Sequence, residues 1–355
     1  MSVTFFGNAF SIKDQWGRQE HNLIKSVQQQ IDQAYTSDNN ILINLTWFGP
    51  QFDNTTWHKI KAEIAAGRTY DRLFWLSAVD PICISPDLFK EIEHGLGVKH
   101  VYYVGGFDNS PYAFHLSAVA TLEDFVHYNK ADIILKDPTH LFLCYNRKPK
   151  SHRIQLVEKL LHNSLDSFGV VTLGKNDSTY DVSQGIKTDL YLTIDDPVEN
   201  YTHNGKFLMH NNFGRVPYDL CSLGRLDIWQ GHFLNIVSET EFLPWDNLFV
   251  TEKTWKPIIG LRPFVLNGQT KIYKYLRDNG FKTFTHCFNG IELEDIKEFE
   301  VHDAIVNVIK YLISLDKAQI LSMYNDMLPA LKYNRNRFFE FANEQQYKID
   351  HLFKL

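Results

Sequence analysis

The stretch LFVTEKTWKPIIGLRPFVLNG, Leu248 to Gly268, sets Glu252, Lys253, Trp255 and Lys256 between two apolar runs. Thr251 stands where a helix N-cap belongs, with Glu252 and Lys253 in the first turn. Pro257 removes a backbone donor and should shorten or kink that helix. The run RPFVLNG then reads as a strand. A helix feeding directly into a strand is a unit of α/β architecture, and its charges serve either a site or a solvated face. On the second reading, Glu252 complements the helix dipole and pairs with Lys256 four residues on.

Outward from this stretch the alternation continues. SVTFFG, NILINLTWF, RLFWLSA and HVYYVGG are strand candidates in the first 106 residues, with EHNLIKSVQQQIDQAY and WHKIKAEIAAG as helical stretches among them. Asp137-Pro138 marks a turn, which divides the chain into Rossmann-like domains over 1–138 and 139–355. The second half alternates LFLCYN, RIQLVEKLLHNSL, FGVVTLG, FLNIVSE, RPFVLNG and GFKTF, and is helical beyond Asp295, with Ile305, Ile309, Leu312 and Ile313 on the apolar side. A chain of 355 residues exceeds one ordinary core, so two α/β halves facing a cleft are expected. Open α/β sheets bind ligands beyond the carboxyl ends of their strands, so the chemistry belongs to strand-to-helix loops.

Composition narrows the class. Hydrophobic residues at 44% and charged residues at 22% are the balance of a soluble globular protein. There is no run of about 18 apolar residues, and the first residues lack the basic start and apolar core of a leader, so no membrane span and a cytoplasmic location are expected, the host cytoplasm if the chain is viral. Cys83, Cys144, Cys221 and Cys287 are scattered without metal-binding spacing and read as reduced and buried. A net charge of −6 argues against a surface coated in cations for nucleic acid, while leaving room for a local cationic cleft.

Two further loops carry candidate chemistry. In LFLCYNRKPKSHRIQLVEKLL, a strand ends near Tyr145, a turn supplies Arg147, Lys148, Lys150 and Arg153, and a helix opens near Ser151 with Ile154, Val157, Leu160 and Leu161 on its inner face. Helix-start N–H groups and guanidiniums together suit a diphosphate, although a solvated basic turn has the same composition. No Gly-rich fingerprint accompanies it, so a dinucleotide cofactor is not implied. In IVSETEF, a strand delivers Ser238, Glu239, Thr240 and Glu241 to its carboxyl end. A carboxylate at Glu252 can accept from both hydroxyls of a ribose, while Lys253 reaches a phosphate as a point charge.

The combination of YNRKPKSHR, VSETEF and FVTEKTW resembles the donor half of fucosyltransferase-like glycosyltransferases with the GT-B fold, over about residues 140–285. In that family an Asn-x-x-Arg turn precedes a helix, and a Phe-Glu-Asn-Ser strand end precedes a Tyr-x-Thr-Glu-Lys helix start. The resemblance implies that Arg147 or Arg153, with Lys253, holds the diphosphate of a UDP- or GDP-linked sugar, that Glu252 holds its ribose, and that Glu239 lies near the donor sugar. Lys150, Ser238, Glu241 and Thr251 complete the donor-binding set. This sequence has Ser-Glu-Thr in place of the family's Glu-Asn-Ser, and KTWKPIIGLRPFVLNG in place of Lys-x-x-Asn-Ala-Leu.

The expected reaction follows from the resemblance. Such enzymes invert the anomeric centre, so a base from the first half deprotonates an acceptor hydroxyl while cations stabilise the leaving diphosphate. Asp80 and Asp108, each after an apolar strand, are the candidate bases, with His115 near the second; each also fits an ordinary turn. Trp47 and Phe48 are candidate acceptor contacts, or core. No metal and no bound cofactor are expected: the Asp-x-Asp pattern is missing, and TIDDPVE carries adjacent aspartates instead. The expected acceptor is a glycan or small hydroxylated molecule. The alternative is hydroxymethylated DNA, as for a phage-type enzyme, with Lys332, Arg335 and Arg337 in KYNRNRFF adding to Lys148 and Lys150 as cations. A nucleotide-sugar epimerase or hydrolase, or an inert sugar-nucleotide binding module, would carry the same donor motifs.

Overall fold

Apolar runs that pair in parallel build two separate sheets. The computed structural model describes residues 4–6, 41–46, 61–70, 72–77, 94–95, 100–105, 114–146, 149–173, 202–203, 206–207, 223, 226–242 and 248–351. The chain divides into two units, one of Met1–Glu123, Trp245–Thr251 and Phe339–Leu355, the other of Asp124–Pro244 and Glu252–Phe338. Asp137-Pro138 lies inside the second unit.

In the first unit, β1 (Thr4–Phe6), β2 (Ile41–Thr46), β3 (Arg72–Ser77), β4 (His100–Gly105) and β5 (Phe114–His115) form a parallel sheet in chain order. All four strand candidates of the first 106 residues contribute to it. Helix α1 (Leu116–Phe125) follows β5 and runs into the second unit.

The second unit is a Rossmann-like α/β layer around β6 (His140–Cys144), β7 (Gly169–Val171), β10 (His232–Ser238) and β11 (Phe264–Asn267), all parallel. A two-stranded antiparallel pair, β8 (Thr202–His203) and β9 (Lys206–Phe207), lies between them in sequence. The spatial order is β11-β10-β6-β7. From β6 the chain moves outward to β7, then returns to place β10 on the other side of β6. The carboxyl ends of β6 and β10 therefore flank a topological switch point, where open α/β sheets bind their ligands.

Every residue of β10 is buried, as a central strand covered on both faces requires. Helix α2 (Ser151–His162) starts at Ser151, as its sequence suggests, and buries Ile154, Leu156, Val157 and Leu160; Leu161 is only partly covered and Leu156 takes its place on the inner face. After α3 (Leu226–Gly231) and β10 comes α4 (Glu252–Ile259), eight residues with Pro257 inside it and Trp255 fully buried. The chain leaves α4 through Gly260 and Leu261, the latter at φ 53°. A Cβ on Gly260 would sit 2.3 Å from the Trp229 ring, so only glycine lets α4 and α3 approach this closely.

Helices α5 (Lys271–Asp278), α6 (Glu298–Ile313) and α7 (Lys317–Asp350) follow. Ile305, Ile309 and Leu312 are buried in α6, as their spacing predicts. The run GFKTF is not a strand. Phe281 and Phe284 are buried, but the Lys282 backbone bonds Asn334 of α7 through both its N–H and its carbonyl, each at 2.8 Å. A side-chain amide thus supplies what a neighbouring strand would have supplied, and alternation of apolar residues cannot tell the two apart. Among the described residues, no helix is long and apolar enough to cross a membrane.

Candidate functional site

The two loops at the β6/β10 switch point meet at one bend, Thr240. Lys150, immediately before α2, donates to the Thr240 carbonyl at 2.8 Å and lies 3.3 Å from Glu241 Oε1. Lys253, in the first turn of α4, donates to Thr240 Oγ1 at 3.2 Å and to Glu252 Oε1 at 2.7 Å. Burial would raise the Glu252 carboxyl, but Lys253 and Lys256 outweigh it and hold the group below its ordinary value.

Behind the bend lies a buried layer. Arg153 donates through one nitrogen to the carbonyls of Ser238 (3.2 Å) and Glu239 (2.9 Å). Burial draws this guanidinium below its ordinary value, opposed by Glu239 first and then Glu252. Glu239 is fully buried, one oxygen accepting from Thr254 Oγ1 at 2.6 Å and the other from the Thr240 N–H at 3.2 Å. A Cβ on Gly268 would come within 2.8 Å of Glu239 Cβ, so the glycine after β11 makes room for that carboxylate's stem.

A row of polar side chains crosses the carboxyl edge of the sheet. His302 of α6 bonds Asn267 at 3.0 Å, and Asn267 donates to Ser238 Oγ at 3.1 Å. Asn146 donates to Cys144 Sγ at 3.2 Å and to the Thr172 carbonyl at 3.0 Å. Burial pushes the thiol up to about 11, and the fully buried Cys144 is part of this framework. Cys287 is partly exposed, whereas Cys83 and Cys221 lie outside the described residues.

Phe242 is stacked between two imidazoles, His152 and His302, each at 5.1 Å between ring centres. His152 Nε2 faces the Glu239 carbonyl at 3.0 Å, an atom that only accepts, so this nitrogen carries the proton. Burial first, then Arg153, pushes His152 down to about 3. Burial, then Lys159, pushes His302 down to about 4. Both imidazoles are therefore neutral in the folded chain, while the unfolded chain protonates them near pH 6.5. Stability contributed by these groups is complete above that value. It falls as the pH drops toward 4 and 3, by up to about 1.4 kcal/mol per pH unit for each imidazole. Urea midpoints measured from pH 7 to pH 4 check this, and His302→Gln should flatten the upper part of the profile.

Of the residues singled out from sequence, Lys150, Arg153, Ser238, Glu239, Glu241, Glu252 and Lys253 are brought together within the second unit. Thr251 is buried and immediately precedes α4. Arg147, Lys148, Asp80, Asp108, Trp47, Phe48 and the TIDDPVE aspartates lie outside the described residues. Of the C-terminal cations, Arg335 faces the carbonyls of Tyr128 and Ala131 and Arg337 donates to that of Asn279 at 2.9 Å, while Lys332 is exposed. Asn146, His152, Phe242, Thr254, Asn267 and His302 had not been singled out. Asn146 and Asn267 do carry a signal, a polar residue closing an apolar strand, but His302 carries none. Among the described residues there is no group of His, Cys, Asp and Glu that could hold a metal ion. Comparison of the chain with protein-family models, with curated proteins and with solved structures yields no match.

Proposed function

We propose that the second unit binds a nucleoside-diphosphate sugar at the β6/β10 switch point, and that the protein is a metal-independent, inverting glycosyltransferase acting on a hydroxyl acceptor. The observation that carries this reading is the convergence of Lys150 and Lys253 on Thr240, with Glu241 and Glu252 beside them and Arg153 buried behind. The two ammoniums suit the diphosphate, and the carboxylates of Glu241 and Glu252, the first partly exposed and the second largely covered, suit ribose and sugar hydroxyls. Glu239, with both oxygens engaged, holds the bend that presents them. An inverting transfer needs a base at the acceptor hydroxyl, for which Asp80 and Asp108 are the candidates in the sequence. A glycan or small hydroxylated acceptor is favoured over DNA, because Arg335 and Arg337 are spent on backbone carbonyls and the net charge is −6.

The test is selectivity. Lys253→Ala should weaken a nucleoside diphosphate about 10- to 100-fold in calorimetric titration, the range of a lost charge-assisted hydrogen bond, and leave the nucleoside nearly unchanged. Equal losses for both ligands would contradict a phosphate contact. Transfer of sugar from the donor should persist in EDTA, and hydrolysis or epimerisation without transfer would move the assignment to those reactions.

A further inference from the structure

The two lysines at Thr240 are not equivalent. Lys253 and Glu252 meet at 2.7 Å, with Glu252 at the start of α4, where the helix dipole also favours its negative charge, and its side chain is 12% exposed. Lys150 and Glu241 meet at 3.3 Å, both about 30% exposed, and Glu241 lies on irregular chain after β10. A long, half-exposed pair is the weaker of the two, and a phosphate oxygen on an ammonium is the stronger competitor. Lys150 also keeps a second anchor, its 2.8 Å bond to the Thr240 carbonyl, which fixes the ammonium whether or not Glu241 stays.

We infer that Glu241 is a built-in competitor for the anion site: it occupies Lys150 in the free protein, and a phosphate group displaces it. Exchange leaves the charge on Lys150 neutralised throughout and releases one carboxylate toward the ligand. This deepens the nucleotide-sugar reading and rests on it for the ligand's second half, since the freed Glu241 would accept sugar hydroxyls. The exchange itself needs only an anion.

Inorganic pyrophosphate is therefore the probe, titrated calorimetrically into the full chain. Glu241→Gln, which keeps the shape and removes the charge, should bind it about two- to fivefold tighter than the parent, the scale of a lost exposed ion pair. Glu241→Ala should move affinity the same way. In a Lys150→Gln background the gain should vanish. Unchanged or weaker binding by both Glu241 variants, a gain that persists without Lys150, or no pyrophosphate binding by any form would each overturn the inference. A gain for pyrophosphate with no preference for nucleoside diphosphate over it leaves the exchange standing and removes the nucleotide-sugar reading. Tight nucleoside-diphosphate binding indifferent to Glu241 does the reverse.

Discussion

Arg153→Ala is expected to cost the folded chain about 3–5 kcal/mol, the range for removing one partner from a buried charged network. The side chain is 4% exposed and donates to the carbonyls of Ser238 and Glu239, so it ties the start of α2 to the carboxyl end of β10. Without it, the Glu239 carboxylate keeps its bonds to Thr254 and Thr240 but loses the buried positive charge of Arg153. Arg153→Lys should recover only part of the loss, because a compact ammonium cannot reproduce the reach and planar placement of the guanidinium against both carbonyls. Urea unfolding curves at neutral pH give the measurement. A loss below about 1 kcal/mol for Arg153→Ala would mean the guanidinium frames nothing.

Arg262→Ala should cost about 3 kcal/mol or more, for a different reason. Arg262 is fully buried between α4 and β11, and among the described residues its partners are all neutral oxygens. It donates to the carbonyls of Gly260 (3.2 Å), Leu261 (2.8 Å) and Trp229, and to Tyr324 Oη of α7 at 3.1 Å. Burial pushes it down to about 10, with Tyr324 opposing, so it stays protonated at neutral pH. Truncation removes a donor from the carbonyls of Gly260 and Trp229, while that of Leu261 keeps Tyr324 Oη, and it opens a cavity. Arg262→Met fills most of that volume and should recover the packing part alone. The two unfolding midpoints separate the terms, and equal losses for Ala and Met would assign the whole effect to the hydrogen bonds.

Local chemistry explains why much of the second unit is legible in its residues. The helix starting at Ser151, the short helix from Glu252 limited by Pro257, the four strands and the apolar face of Glu298–Ile313 all follow from spacing and from residues with strong backbone preferences. GFKTF misleads because burial of Phe281 and Phe284 looks the same whether the backbone pairs with a strand or with Asn334. The burial of Arg153 is not legible either. In sequence it is one more cation in a basic turn, and only the strand end packed against it makes it a buried donor.

By itself, then, the sequence determined an α/β chain of parallel strands with charged residues at strand-to-helix loops, because those features depend on neighbours within a few residues. The strand order was decided only in three dimensions. Pairing β10 beside β6, away from β7, brings Lys150 to Glu241 across 91 positions of chain, and packing α6 against β11 brings His302 to Asn267 across 35. Parallel pairing is non-local and carries no marker in either strand. Which loops meet is therefore set by how whole strands bury both faces at once, and not by any motif the loops contain.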